Sequence, residues 1–236
     1  MLANLDGGCR VTGLKDGEPS VEGALRIWNH FGTHAGATAI SLRVLELPAG
    51  QRATLRNEVA DEVLYVLAGS GSGLRPDTGI YLPPATSFEI KADETLTLIS
   101  SRCPDDGATL EDYEPGHGSL YTVAMEDRPV QRTGDRWYRE VINEDAGSTQ
   151  VTQFVGAIPP GRAPDHFHLY EEVIVILDGI GEMWAGTSHT PIETGSCIFL
   201  PRTQVHCVEN RGNREMRLLG VFYPAGSPAV RYSAQT

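Results

Sequence analysis

The feature that most constrains this chain is an internal repeat. From Leu47 it reads Leu-Pro-Ala-Gly, then Arg56, Glu58, Glu62 and Gly69. From Ile158 it reads Ile-Pro-Pro-Gly, then His166, His168, Glu172 and Gly179. From Arg56 and His166 onward the intervals are the same. Farther on, Gly79-Ile-Tyr-Leu-Pro83 aligns with Ser196-Cys-Ile-Phe-Leu-Pro201, and Phe88 falls where His206 stands. Each copy closes with an apolar segment and a proline, at 97–104 and 218–224. A unit repeated at this period means two copies of one fold, and 236 residues suffice for two small cores.

The units read as all-β. Segments 39–47, 63–67, 95–99, 151–158, 173–177, 197–200 and 216–222 are short, apolar and mostly bounded by turn residues. No long stretch carries a 3.6-residue apolar period. Residues 105–118 are acidic, contain glycine and proline, and read as a linker. Division of the chain is expected near 118, into 1–118 and 119–236. A strand at 119–125 is placed before the second unit and one at 137–142 inside it.

Composition narrows the partners. The net charge of −12 disfavours nucleic acid and anionic membranes. The longest aliphatic run, residues 173–177, is far too short to span a bilayer, and residues 1–10 lack the basic and apolar regions of a signal peptide. A soluble cytoplasmic protein is expected, acting on a small molecule. Cys9, Cys103, Cys197 and Cys207 form no C-x-x-C pair and read as reduced core residues, although Cys197 and Cys207 could face each other across a hairpin.

In the second copy His166, His168 and Glu172 share parity, so on an extended strand they point one way. Val173, Val175 and Leu177 then face oppositely, to pack on a second sheet or across a homodimer. A barrel can bring His206 beside them. Three imidazoles and a carboxylate suit one divalent transition ion per chain: Mn, Fe, Ni, Zn, Co or Cu. Around this set, Tyr170 could donate a proton. Arg162 and Arg202 could grip a carboxylate or phosphate, and Gln153 and Trp184 could line the pocket. Glu171 falls on the opposite face. His30, His34, His117 and His189 read as surface, packing or loop residues.

Here the chain resembles the cupin superfamily. Residues 161–179 resemble its first motif, and Gly195, Pro201, His206 and Asn210 its second. Only four residues separate Gly161 from His166 where the pattern has five, and Thr203 stands where the pattern has glycine. The resemblance implies a bicupin: two tandem jelly-roll (double-stranded β-helix) barrels, with the metal motif intact only in the C-terminal one. In the first copy Arg56, Glu58, Glu62 and Phe88 hold the ligand positions. Arginine and phenylalanine cannot ligate, so Arg56 is expected to neutralise Glu58 and Glu62. The implied function is metal-dependent chemistry on a small metabolite, with Glu172 as the candidate base. A dioxygenase acting on an enolic or diketone-type substrate is the first expectation. An isomerase or hydrolase of a sugar acid or ureidoglycine-like metabolite is the second, and a non-catalytic metal-dependent binding protein the third.

Overall fold

A computed structural model describes residues 2–233. The expected strands form: Leu42–Leu47, Asp61–Ala68 and Leu96–Cys103 in the first half, and Thr152–Ile158, Glu171–Asp178, Ser196–Leu200 and Met216–Tyr223 in the second. Helix is limited to short 3-10 turns. None is long and apolar enough to cross a membrane.

Each half builds one large and one small sheet. The large sheet of the second half centres on Ser196–Leu200, Glu171–Asp178, Met216–Tyr223 and Thr152–Ile158, and that of the first on Thr78–Leu82, Asp61–Ala68, Leu96–Cys103 and Leu42–Leu47. The small sheets close the barrels. In the first half Arg52–Arg56 pairs with Ser87–Lys91; in the second, Ile180–Ala185, His206–Asn210 and His166–Phe167 lie side by side. The barrel interiors are apolar. One is filled by residues such as Leu45, Leu64, Ile80 and Leu98, the other by Ile174, Ile176, Met183 and Leu218.

A third core lies between the barrels. Val44, Val63, Tyr65 and Ile99 from one large sheet share a buried cluster with Val155, Val173, Val175, Leu219 and Val221 from the other, and Leu177 packs against it. The outward face of 173–177 is therefore covered within the chain. Both faces of each large sheet are buried, which is why these strands read as continuous apolar runs.

The sheets do not divide where the linker does. Arg10–Gly13 pairs with Ser196–Leu200 of the second barrel, whereas Tyr121–Ala124 pairs with Thr78–Leu82 of the first. The strand expected at 119–125 to precede the second barrel thus extends the first barrel's sheet. The reason is the repeat itself: each copy opens with a strand that finds an unpaired edge on its sister. Between them, the linker is held by Asp61, which accepts hydrogen bonds from Tyr113 Oη at 2.7 Å and Gly116 N at 3.0 Å. Gly118 packs so closely that an added Cβ would lie 2.9 Å from the Ala146 carbonyl oxygen.

Glu171 faces away from the second barrel's interior, as its parity predicts, and pins the barrels together. Only 2% exposed, it accepts from the backbone N–H of Thr38 (2.7 Å), Ala39 (2.9 Å) and Ile40 (2.9 Å). Glu171→Ala leaves those donors unsatisfied and should cost about 3 kcal/mol or more. Glu171→Gln should recover part of this, because an amide oxygen still accepts. Urea unfolding midpoints of the three proteins measure it; an Ala variant matching the parent would show that the pin carries no energy.

Candidate metal centre

The first-motif residues are not on one strand. His166–Phe167 belongs to the small sheet and Glu171–Asp178 to the large one, with His168 in the connection where the chain changes sheets. His166 lies directly opposite His206 in register. Thr203 adopts φ +64°, which explains the glycine usual at that place, and its N–H donates to His168 O at 2.7 Å.

The three imidazoles converge. One nitrogen from each of His166, His168 and His206 falls within 4.8 Å of the others, a group able to hold a metal ion. The opposite ring nitrogens are all engaged: His166 Nδ1 with Pro164 O (3.0 Å), His168 Nδ1 with Val230 O (2.9 Å) and His206 Nδ1 with Gln204 O (2.8 Å). A carbonyl only accepts, so each Nδ1 carries the proton and each Nε2 keeps its lone pair. Burial, reinforced by the crowding of neighbouring cationic forms, pushes His168 down to about 4 and His206 to about 3; burial lowers His166 also. All three are neutral at pH 7, and carbonyl-oriented neutral imidazoles are what metal sites use.

Glu172 lines the same cavity but stands outside the group of three. Its carboxylate has no hydrogen bond or ion pair among the described residues, and burial alone pushes it up to about 8. The first barrel shows what is missing. Glu62 occupies the equivalent place, opposite Arg102, while Arg43 lies opposite Ser100. Both arginines pair with Glu62, at 2.7 Å from Arg43 and 3.0 Å from Arg102. In the second barrel the same register positions hold Phe222 opposite Glu172 and Phe154 opposite Gly220. One carboxylate has two guanidinium partners; the other has two phenyl rings. The orphaned buried carboxylate, beside three Nε2 lone pairs, is a donor set that suits a divalent transition ion.

Arg56 therefore does not neutralise the first barrel's buried acid. It pairs with Glu58 on the surface and bonds Ser87, the residue opposite it in register. Ser87, rather than Phe88, stands where His206 does. The small-sheet strand is too exposed to carry Arg56 inward, and Arg43 and Arg102 already fill the place.

Of the other expected residues, only Tyr170 reaches the cavity. It stacks between His168 (4.4 Å) and Phe222 (4.1 Å), and burial, aided by the Glu172 charge, raises its phenol, which stays protonated. Gln153 lies on the other face of its strand, fully buried between the barrels, with its Oε1 3.0 Å from where a Gly79 Cβ would be. Neither end of its amide finds a partner among the described residues. Trp184 is on the outer face of the small sheet, donating to Glu209 at 2.9 Å, with Arg162 stacked on it at 4.1 Å. Arg202 is exposed, over Tyr223 at 5.5 Å. All four cysteines are buried free thiols.

Residues that spacing did not reveal complete the cavity. Arg136 and Tyr138 come from one strand, and Pro228, Ala229 and Arg231 from the C-terminal tail, whose Tyr232–Ser233 pairs with His166–Phe167. No local motif marks them; the tail arrives by long-range pairing.

Two tandem barrels with a histidine cluster inside one define a double-barrelled protein with a candidate metal site. Residues 154–222 match the family model for the cupin domain. Protein SchB of Streptomyces halstedii is 30% identical over 100 residues, 41% of this chain and 72% of that protein. The crystal structure of protein Ylba from E. coli superposes with a TM-score of 0.74 at 13% identity, covering 94% of this chain and 93% of the other. Lactobacillus farciminis oxalate decarboxylase, in a formate complex, gives 0.74 at 12% identity, covering 96% and 88%. The chain belongs to the cupin superfamily, with the two-barrel architecture of a bicupin.

The contrast between the barrels yields a stability test. Arg43→Leu leaves Glu62 short of a partner in a buried place and should cost about 3–5 kcal/mol. Arg56→Ala should leave the unfolding midpoint unchanged. Burial works against the Glu62 charge, but Arg43, Arg102 and Ser100 outweigh it and hold the carboxyl below its ordinary range. Its stabilisation is thus complete at neutral pH and lost only as pH falls through that lowered value. Denaturant titrations at pH 7 check the two variants; the reverse order of effects would return the role to Arg56.

Proposed function

We propose that the C-terminal barrel is a metal-dependent catalytic site that binds one divalent transition ion per chain through His166, His168 and His206, with Glu172 alongside. The observation that carries this reading is the commitment of all three Nδ1–H groups to backbone carbonyls, which turns three neutral lone pairs inward. An ion held by these residues would supply a Lewis-acid centre able to polarise an enolic substrate.

The protein's own groups do the rest. The three carbonyls fix ring orientation. Burial beside Phe154 and Phe222 raises the Glu172 carboxyl to about 8, so once ionised it is a stronger base than an exposed carboxylate and can accept a substrate proton. A cation nearby favours the ionised form, coupling that base to a loaded site. Tyr170, protonated and held by stacking, can donate to a substrate oxygen. The cavity, of about 100 Å³, limits its occupant to a compact molecule of a few heavy atoms. The reaction we infer is a dioxygenation of an enolic or diketone-type compound.

Metal analysis of the protein purified from metal-supplemented medium should give about one ion per chain. His168→Ala and His206→Ala should each lose it while keeping a folded β spectrum, because the cores are aliphatic. About two ions per chain would place a second site in the first barrel and overturn the assignment.

An oxygen-electrode screen of enolic and diketone metabolites tests the chemistry. Oxygen consumption should accompany product formation, and Glu172→Gln should lower turnover by about 10²-fold or more, a larger loss than in metal affinity. Equal product without air would reassign the site to isomerisation or hydrolysis. Ligand binding with no turnover would make it a sensor.

A further inference from the structure

We propose that Arg136 and Arg231 form a clamp for the carboxylate of a small organic acid, holding it over the three histidines. The inference deepens the reading above by naming the substrate class, and rests on that reading only for the ion beneath the clamp.

Both arginines line the cavity that contains His166, His168, His206 and Glu172. They come from distant parts of the chain: Arg136 opens the strand Arg136–Ile142, and Arg231 lies on the tail just before Tyr232–Ser233. Neither makes a hydrogen bond or ion pair among the described residues; Arg52, Arg132 and Arg214 are unpaired too, but Arg136 and Arg231 are the ones that line the cavity. Asp135 is close enough to Arg136 to favour its charge but does not bridge it. Arg136 is partly desolvated, and the two guanidinium groups repel each other.

Two like charges facing one cavity repel each other, a repulsion that nearby Asp135 only partly offsets. An anion entering the cavity removes it. The planar fork of each guanidinium matches a carboxylate in a bidentate manner. Phe154, Ile158, Ile174 and Leu218 line the same space and suit a carbon body rather than a bare inorganic ion. The substrate's charged end then sits at the mouth between hairpin and tail, and its other end reaches the imidazoles. Because Val230, next to Arg231, receives the His168 Nδ1–H, the same tail segment sets both clamp and metal-facing ring.

The test compares acetoacetate with acetoacetamide, which share the enolisable carbonyl and differ in charge. Calorimetry is run on the metal-loaded full chain, on the chain stripped by chelator, and with inorganic phosphate as competitor. The parent should bind the acid at least about tenfold more tightly than the amide. Arg136→Gln and Arg231→Gln should each bring that ratio towards one with metal content unchanged. Arg231 is exposed, so its variant reports even if replacing Arg136 harms folding. Equal binding of acid and amide by the parent, no binding of the acid, or a ratio untouched by either variant would overturn the clamp. Phosphate displacing the acid at equal concentration would make it a general anion site and overturn the carboxylate assignment. A ratio that persists in a chain that never takes up metal would keep the clamp and sink the metal reading; a loaded chain with a ratio of one would do the opposite.

Discussion

Everything in this molecule hangs on the burial of two large sheets against each other. Val44, Val63, Tyr65 and Ile99 meet Val155, Val173, Val175 and Val221 in a core belonging to neither barrel alone. Apolar area removed from water on that scale is the dominant favourable term available to a chain of this size. Two polar devices give the packing its register. Each sheet is extended by a strand from the opposite copy, and Glu171 gathers three backbone N–H groups across the seam. Each barrel has its own core and both share a third.

Within that frame, one position carries two opposite electrostatic solutions. A buried carboxylate must be matched by cations or remain partly protonated. The first barrel meets the requirement with Arg43 and Arg102, and its interior is closed around them. The second places Phe154 and Phe222 at the same register positions and leaves Glu172 facing a cavity. Where the second copy carries metal-type residues the first carries internal arginines, so the cations that match its buried carboxylate are part of the chain.

The histidine cluster depends on a change of sheet. Because the chain leaves the small sheet after Phe167 and joins the large one at Glu171, His168 is free to turn towards His206 while Glu172 enters from the opposite wall. The C-terminal tail then closes over the top, giving a carbonyl to His168 and residues to the cavity. The same tail thus helps orient one imidazole and forms part of the cavity wall.

The repeat, the strand segments and the metal-type residues were legible in the sequence because each is local: a short apolar run, a two-residue spacing, a proline at a strand end. Parity placed Glu171 and Glu172 on opposite faces. It could not say which face of the strand with Gln153 looks into the cavity, since both faces of that sheet are buried and the apolar pattern no longer alternates. Nor could it find the partner of Glu62. Arg56 was near in sequence, but Arg43 and Arg102 were near in the sheet, and antiparallel pairing, not chain separation, sets which charges meet. The ownership of Tyr121–Ala124, the arrival of Arg231 beside Arg136, and the Val230 carbonyl that orients His168 were likewise decided by tertiary structure. They join residues tens of positions apart whose meeting is dictated by edges left unpaired and apolar faces left uncovered, quantities that exist only once the sheets have formed.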